Sequence, residues 1–191
     1  MMNTTPQSNR LTVALFGRRN AGKSTLFNAV AGQDCAIVSD TPGTTTDPVA
    51  KSMELLPFGP IVLIDTAGWD DNGPLGEARV KKTEAALNRA DLAVYAIDAC
   101  QSALDAYEAF AGKLSRRGVP VLPVITKGDT VSDVRLAELM RLVPGSLAVC
   151  AHDPHEVDVL KDELARRLTE KPPEPDLIGG LLPACRAWLR G

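Results

Sequence analysis

Residues 17–24 read Gly17-Arg18-Arg19-Asn20-Ala21-Gly22-Lys23-Ser24, which matches the phosphate-binding-loop pattern of Gly, any four residues and Gly-Lys-Ser/Thr. The apolar run 11–16 before this loop predicts a buried strand, and residues 24–31 after it predict a helix that ends before Gly32. A strand, a glycine-rich turn and a helix start form the context that the pattern requires. The loop therefore predicts an α/β fold that holds a phosphate chain.

The loop offers several kinds of group to a phosphate chain. Successive backbone N–H groups in such a turn point inward and form an anion nest, and the following helix adds its unpaired N–H groups. Lys23 is expected to reach the β- and γ-phosphates, and the Ser24 hydroxyl is a predicted ligand of Mg²⁺. The residues predicted to bind nucleotide here are Gly17, Asn20, Ala21, Gly22, Lys23, Ser24 and Thr25.

The composition is that of an ordinary globular domain. The chain has 191 residues, of which 45% are hydrophobic and 24% are charged, and this length suits a single domain with its own core. A net charge of −3 and an aromatic content of 4% argue against a broad nucleic-acid-binding surface. The sequence has no apolar run long enough to cross a bilayer and no signal-peptide core, so we expect no membrane partner and a cytoplasmic location.

The four cysteines are widely spaced and form no Cys-x-x-Cys pair. The run Cys150-Ala151-His152 and the nearby His155 are too few and too loosely spaced to close a structural metal site. Because Cys100 and Cys150 follow apolar runs, we predict that both side chains are buried.

Hydrophobic periodicity predicts alternating strands and helices. The turn 57–60 between the second and third strands predicts an antiparallel hairpin, whereas the other strands alternate with helices. We therefore predict a three-layer α/β fold with a mostly parallel six-stranded sheet and one antiparallel edge strand. The predicted strands are 11–16, 50–56, 61–65, 92–98, 120–126 and 146–150, and the predicted helices are 24–31, 76–88, 103–117, 132–141 and 157–170.

The chain divides into three segments by composition. Residues 1–9 are polar and are expected to form a disordered lead-in, and residues 10–170 are expected to form the nucleotide-binding domain. The proline-rich run 171–175 reads as a linker. The short apolar segment 176–191 is either the start of a missing C-terminal domain, which we favour, or a helix docked on the first domain.

Two further motifs lie between the phosphate loop and the middle of the chain. Asp65-Thr66-Ala67-Gly68 ends the third predicted strand, where Asp65 can hold Mg²⁺ and the Gly68 N–H can meet the γ-phosphate. The hydroxyl-rich run 39–47 has no hydrophobic anchor, and a γ-phosphate with Mg²⁺ can order such a loop. Thr45 is the residue of this loop that we expect to complete the Mg²⁺ shell.

A base-recognition motif follows the fifth predicted strand, at Thr126-Lys127-Gly128-Asp129. The carboxylate of Asp129 can accept hydrogen bonds from N1–H and the exocyclic amine of guanine, which adenine does not offer in that arrangement. The lysine stem can pack on the base. The usual pattern is Asn-Lys-x-Asp, so Thr126 loses an amide and is expected to loosen the base pocket without changing its choice. Cys150 and Ala151 are expected to add a backbone contact to the base.

These four motifs, in this order, resemble the translation-factor-like small GTPases over residues 10–170. The resemblance implies the Ras-like P-loop fold, GTP and GDP as ligands, and Mg²⁺-dependent hydrolysis of the GTP phosphoanhydride bond. Asn20 and the Gly-Thr-Thr of 43–45 are similar to the potassium-activated group that includes the tRNA-modification GTPase. The resemblance implies that Asn20 and carbonyls of residues 39–42 hold K⁺, and a cation there can replace an arginine finger. The implied catalytic set is Lys23, Asn20, Thr45 and Gly68.

A narrower resemblance rests on the short runs 36–40, 43–49, 51–55, 59–60, 65–68, 75–76 and 79–83. They are similar to the GTPase domain of the FeFe-hydrogenase H-cluster maturation factor F, a family that adds a dimerisation domain and a 4Fe–4S domain. This chain has no Cys-x-x-Cys, so the resemblance implies a GTPase module without the iron–sulfur cluster. It also implies hydrogenase and other maturation proteins as partners, and a homodimer formed through the missing domains.

Three functions stay open. The one we favour is a GTP-hydrolysing switch, and the others are a non-catalytic guanine-nucleotide-binding interaction module and a tRNA-modification or ribosome-assembly GTPase. Trp69 stands where Ras-type switches place the glutamine that orients water, so we expect slow hydrolysis that depends on K⁺ or a partner. The third function needs an RNA-facing domain or a basic patch, which 21 basic against 24 acidic residues do not indicate.

Overall fold

The structure is a computed structural model, and it describes residues 10–32, 49–66, 84–101 and 104–170. Its strands are β1 (Leu11–Gly17), β2 (Val49–Leu55), β3 (Gly59–Asp65), β4 (Leu92–Asp98), β5 (Val121–Thr126) and β6 (Leu147–Val149). Its helices are α1 (Lys23–Ala31), α2 (residues 84–89), α3 (Leu104–Ser115), α4 (Asp133–Leu142) and α5 (Pro154–Glu170), with a 3₁₀ turn at Gly128–Thr130.

The six strands form one sheet in the order β2-β3-β1-β4-β5-β6. Every neighbouring pair is parallel except β2 and β3, which are antiparallel and place β2 at an edge. The predicted fold class and the predicted hairpin are therefore confirmed. In the hairpin, Leu55 pairs with Gly59 across the predicted turn.

Two apolar clusters cover the two faces of the sheet. Alternate residues of β1 point to opposite faces, so Leu15 packs with α1 and α5, whereas Phe16 packs with α2 and α3. On the second face the ring centroids of Phe16 and Tyr95 lie 5.0 and 4.8 Å from that of Phe110. Every residue of β4 is buried, as its nearly continuous apolar run predicts for a strand covered on both faces.

The N-terminal end of α5 differs from the prediction. The helix begins at Pro154 rather than at residue 157. Asp153 accepts a hydrogen bond from the His155 N–H at 2.9 Å through its Oδ1, and a proline is favoured in the first helical position. Asp153 and Pro154 together are thus a helix-start signal that hydrophobic periodicity missed.

The prediction of buried cysteines is wrong for Cys100, which is exposed, and holds only in part for Cys150, which is half-buried. The reason is that β4 ends at Asp98, and the chain then turns outward. Asp98 Oδ1 stabilises this turn by accepting a hydrogen bond from the Cys100 N–H at 2.9 Å. The described part of α2 agrees with the predicted helix 76–88, and the residues before 84 lie outside the described ranges. Among the described residues, we find no helix with the length and apolarity needed to span a bilayer.

Gly17 is expected to be irreplaceable for stability. Its φ is +140°, and a Cβ at this position would lie 2.5 Å from the carbonyl oxygen of Ala96 on the neighbouring strand. We expect Gly17→Ala to lower the free energy of unfolding by about 3 kcal/mol or more, from backbone strain and overpacking together. Urea unfolding measures this change.

The matched control is Gly112→Ala, inside α3. A Cβ at Gly112 meets none of the described atoms within 4 Å, and alanine favours a helix over glycine by roughly 0.5–1 kcal/mol. A Gly17→Ala protein as stable as the Gly112→Ala protein would contradict the close approach of β1 and β4.

Candidate functional site

The candidate site lies along the edge of the sheet where the parallel strands end. This edge is where open α/β sheets bind ligands, and it carries the residues that follow β1, β3, β4, β5 and β6. The loop 17–22 leaves β1 and is closed by a hydrogen bond from the Ala21 N–H to the Arg18 carbonyl at 3.2 Å. Gly22 has a φ of 77° and precedes α1, which begins at Lys23. The N–H groups of the first helical turn thus open into the loop, as an anion nest requires.

The ammonium of Lys23 is held inside this loop. The residue is only 7% exposed, and its Nζ donates to the Arg18 carbonyl oxygen at 2.7 Å. Because burying a cation is costly unless it is compensated, this position suits an anion that would enter the loop.

Ser24 and Asp65, the two predicted Mg²⁺ ligands that the structure describes, are in contact. Ser24 Oγ donates to Asp65 Oδ2 at 2.6 Å. Asp65 Oδ1 is buried and has no hydrogen-bond partner among the described residues. Burial raises the pKa of Asp65, and the hydrogen bond from Ser24 and the charge of Lys23 oppose that rise. A hydroxyl beside an unsatisfied buried carboxylate oxygen fits a hard, oxygen-preferring cation such as Mg²⁺.

Thr66 is a site residue that the sequence analysis did not single out for a role. Its side chain is buried, and its Oγ1 donates to the Leu15 carbonyl at 2.6 Å. Since Leu15 also pairs in register with Asp65, this bond fixes the end of β3 against β1. Asp65 is therefore held at a defined distance from the phosphate loop.

Thr126 and Lys127 connect the end of β5 to the phosphate loop. The Oγ1 of Thr126 lies 2.9 Å from the Ala21 carbonyl oxygen and 3.2 Å from that of Ile97. Lys127 Nζ donates to the Asn20 carbonyl at 2.8 Å. Two consecutive residues of the base motif thus bond two consecutive carbonyls of the loop, and the Thr126 hydroxyl points at the loop.

Asp98 was missed entirely by the sequence analysis. Its side chain is 4% exposed, and its Oδ2 accepts from Lys127 Nζ at 2.8 Å. Burial would raise the pKa of Asp98, but the hydrogen bonds from Lys127 and the Cys100 N–H outweigh that effect and lower it. Asp98 is therefore an ionised carboxylate between β4 and the base motif.

The other predicted base contacts follow β5 and β6, whose ends pair at Thr126 and Val149. Asp129 is exposed in the 3₁₀ turn after Lys127. The Cys150 N–H donates to Glu156 Oε2 at 2.5 Å, so this group is already used by α5. Ala151 is half-buried and packs on the core, and its predicted contact with the base stays a prediction.

The site residues described by the structure thus form two groups joined by the loop. Lys23, Ser24 and Asp65 make the phosphate and metal end, and Lys127 and Asp129 make the base end. Asn20 and Thr25 are exposed at the loop and the first turn of α1. Thr45, Gly68, Trp69 and the run 39–42 lie outside the described residues, so their predicted roles stay predictions.

The fold and this arrangement define a P-loop GTPase domain. Residues 12–127 match the model of the family described as 50S ribosome-binding GTPase. Because this match spans more than half of the 191 residues, the chain belongs to that family.

Proteins with similar sequences and structures belong to the same class. GTPase Der from Agrobacterium fabrum is 42% identical over 120 residues, which are 62% of this chain and 25% of that protein. GTPase Era from Caldicellulosiruptor saccharolyticus is 34% identical over 168 residues, which are 84% of this chain and 56% of that protein. A crystal structure of Era in complex with MgGDPNP and nucleotides 1506–1542 of 16S ribosomal RNA has a TM-score of 0.65 at 26% identity, over 85% of this chain and 58% of that one. The chain therefore spans only part of these proteins.

Proposed function

We propose that residues 10–170 form a GTP-binding domain that hydrolyses GTP slowly with Mg²⁺ and acts as a switch. The observation that carries this proposal is the contact between Ser24 and Asp65 beside the buried ammonium of Lys23. Phosphoryl transfer needs mainly positioning and charge neutralisation, and these three groups offer both. Steady-state phosphate release from GTP, with and without Mg²⁺, tests the proposal. Release that is absent, or that does not need Mg²⁺, would contradict it.

The chain's own groups have separate tasks in this proposal. The N–H groups of residues 17–25 would cradle the phosphates, except that of Ala21, which donates to the Arg18 carbonyl. Lys23 would leave the Arg18 carbonyl to bind the β- and γ-phosphates. Ser24 and Asp65 would hold Mg²⁺, with Thr45 as a further proposed ligand. When bound, Mg²⁺ neutralises charge on the β- and γ-phosphate oxygens. The Gly68 N–H is proposed to donate to the γ-phosphate.

Asp129 is proposed to select guanine. It is exposed in the 3₁₀ turn that follows Lys127. A carboxylate here matches the paired donors of guanine, and an adenine would leave it unpaired. Thr126 keeps its bond to the phosphate loop, so the loss of the asparagine amide leaves the loop-to-base connection in place.

K⁺ is proposed as an activator held by Asn20. The Asn20 side chain is exposed at the loop, whereas its carbonyl already accepts from Lys127. The side-chain amide oxygen is thus the group of this residue that can hold a cation. When bound, K⁺ would supply positive charge beside the phosphates, which is the role of an arginine finger.

We expect GTP hydrolysis to rise by about tenfold or more when K⁺ replaces Na⁺ at constant ionic strength, a smaller effect than the roughly hundredfold or more that one preorganised donor to a developing charge contributes. Asn20→Ala should remove most of the response and leave GDP affinity largely unchanged. Asn28→Ala, at an exposed position of α1, is the matched control and should keep the response. Equal rates in the two salts for the parent would contradict the K⁺ role.

Two partner classes are proposed for the switch. The first is the ribosome, as in the third function named above, and the family description supports it, as does the complex of the similar Era protein with 16S ribosomal RNA. The second is the machinery of hydrogenase maturation, which the runs 36–40, 51–55 and 79–83 favour. The chain covers 25% of the length of GTPase Der from Agrobacterium fabrum, so both partner classes stay proposals for this chain.

One pair of experiments separates the two partner classes. Sedimentation with ribosomal subunits, in GTP and in GDP, tests the first class. Activation of an apo-hydrogenase by lysate with and without the protein tests the second. Nucleotide-dependent sedimentation without any effect on activation supports the ribosomal class, and the reverse result supports maturation. If both experiments are negative and hydrolysis is also absent, the non-catalytic interaction module becomes the better description.

A further inference from the structure

Two strained residues of the site are bonded directly to each other. Among the described residues, the non-glycine residues with positive φ are Asn20, at 62°, and Lys127, at 58°. Lys127 Nζ donates to the Asn20 carbonyl oxygen at 2.8 Å. Left-handed backbone costs roughly 1–3 kcal/mol at such residues and persists where the surroundings hold it. The bond therefore joins the phosphate loop to residues 126–129, which we call the base loop, and it does so at the residue of each loop that has left-handed backbone.

Asp98 fixes the lysine that makes this bond. Its Oδ2 accepts from Lys127 Nζ at 2.8 Å, and its Oδ1 accepts from the Cys100 N–H at 2.9 Å. Both carboxylate oxygens are therefore used, and the carboxylate has one orientation. The residue ends β4, which pairs in register with β5 at Thr126, so the rigid centre of the sheet sets the position of the ammonium.

We propose that Asp98 is a positioning residue for guanine-nucleotide binding, which holds Lys127 on the phosphate loop so that the base loop and the phosphate loop keep one geometry. This inference rests on the proposed function and deepens it. Lys127 contacts the nucleotide in that proposal, whereas Asp98 lies behind it and acts through it. The sequence spacing gives no sign of this role.

The charge of Asp98 matters more than its volume in this role. The Lys127 side chain is 39% exposed, so without a charged partner its ammonium can turn to water. The Asn20 carbonyl would then lose its donor from the base loop, although Thr126 would still bond the Ala21 carbonyl. We therefore expect weaker nucleotide binding in a folded protein.

The test measures the release rate of a fluorescent GDP analogue from the parent, Asp98→Asn, Lys127→Met and the double variant. Asp98→Asn keeps the shape and the acceptor for the Cys100 N–H, and we expect release to be about tenfold faster, as for the loss of one charge-assisted hydrogen bond. In the Lys127→Met background the same change should have no further effect. Asp91→Asn is the matched control, since Asp91 Oδ2 also accepts a backbone N–H, that of Thr12, at 2.7 Å.

The outcomes decide the role of Asp98. Faster release only when Lys127 is present supports it, and equal acceleration in both backgrounds overturns it, because a merely structural residue would act in both. Should Asp98→Asn fail to fold, Asp98→Ser serves instead, since a serine hydroxyl can also cap the turn at Cys100. A parent that binds the analogue and an Asp98→Asn variant with unchanged release overturn this role alone. A parent that binds no guanine nucleotide overturns the proposed function, and this role with it.

Discussion

Lys23→Ala should abolish measurable GTP hydrolysis and weaken GTP and GDP binding by about a hundredfold or more, in line with the loss of a preorganised cation that contacts developing phosphate charge. The ammonium is buried and donates to the Arg18 carbonyl, so it is already placed where a phosphate would enter. Alanine removes this charge and its bond to the Arg18 carbonyl, while the Ala21 N–H still closes the loop on the same carbonyl. Phosphate release and the thermal shift caused by GDP are the two measurements.

The thermal shift separates binding from folding. A ligand that binds the native state raises the unfolding temperature, so GDP should stabilise the parent and leave Lys23→Ala unchanged. Lys113→Ala is the matched control, because Lys113 of α3 pairs with Glu84 of α2 and lies outside the candidate site. Hydrolysis by Lys23→Ala at the parent rate would overturn the assignment of the phosphate loop.

The fold could be predicted from the sequence because its signals are local. The apolar run of β4, the hairpin turn and the helix that follows the phosphate loop each have a spacing that implies one type of element. The sheet then follows from alternation of strands and helices. The start of α5 was missed because the prediction used hydrophobic periodicity, and Asp153 and Pro154 begin the helix with capping chemistry instead.

Only the site residues that belong to a sequence motif could be predicted. Ser24 and Asp65 were each predicted to bind Mg²⁺, and their oxygens lie 2.6 Å apart. Asp98 belongs to no motif, and its contact with Lys127 depends on β4 lying beside β5, which is a property of the whole sheet. The direction of the Thr126 hydroxyl, toward the phosphate loop, likewise follows from packing and could not be read from the residue type.

Asp129→Asn should change the preferred base from guanine to xanthine. The carboxylate of Asp129 is proposed to accept from N1–H and the exocyclic amine of guanine, and xanthine has a carbonyl oxygen in place of that amine. An asparagine amide can donate to this oxygen. With guanine, the same amide would face the exocyclic amine, which is also a donor. Sites that hydrogen-bond a substrate group through buried polar groups reject the wrong partner by roughly 10⁴–10⁵-fold. Because Asp129 is exposed until a base covers it, we expect a smaller change in preference, of about a hundredfold or more. Competition of GTP, XTP and ATP for a fluorescent GDP analogue on the parent, and for a fluorescent XDP analogue on the variant, measures the preference.

Because Asp129 is not buried, a change in base preference can be attributed to its charge and hydrogen bonding rather than to altered packing. The side chain is exposed in a short 3₁₀ turn, so its replacement by asparagine changes charge and donor pattern with little effect on packing. Asp133→Asn, at another exposed carboxylate a few residues later in α4, is the matched control and should keep the guanine preference. A parent that binds ATP as tightly as GTP would show that Asp129 does not read the base. An Asp129→Asn variant that loses GTP without gaining XTP would show that the residue supports the loop and leaves base selection to other groups.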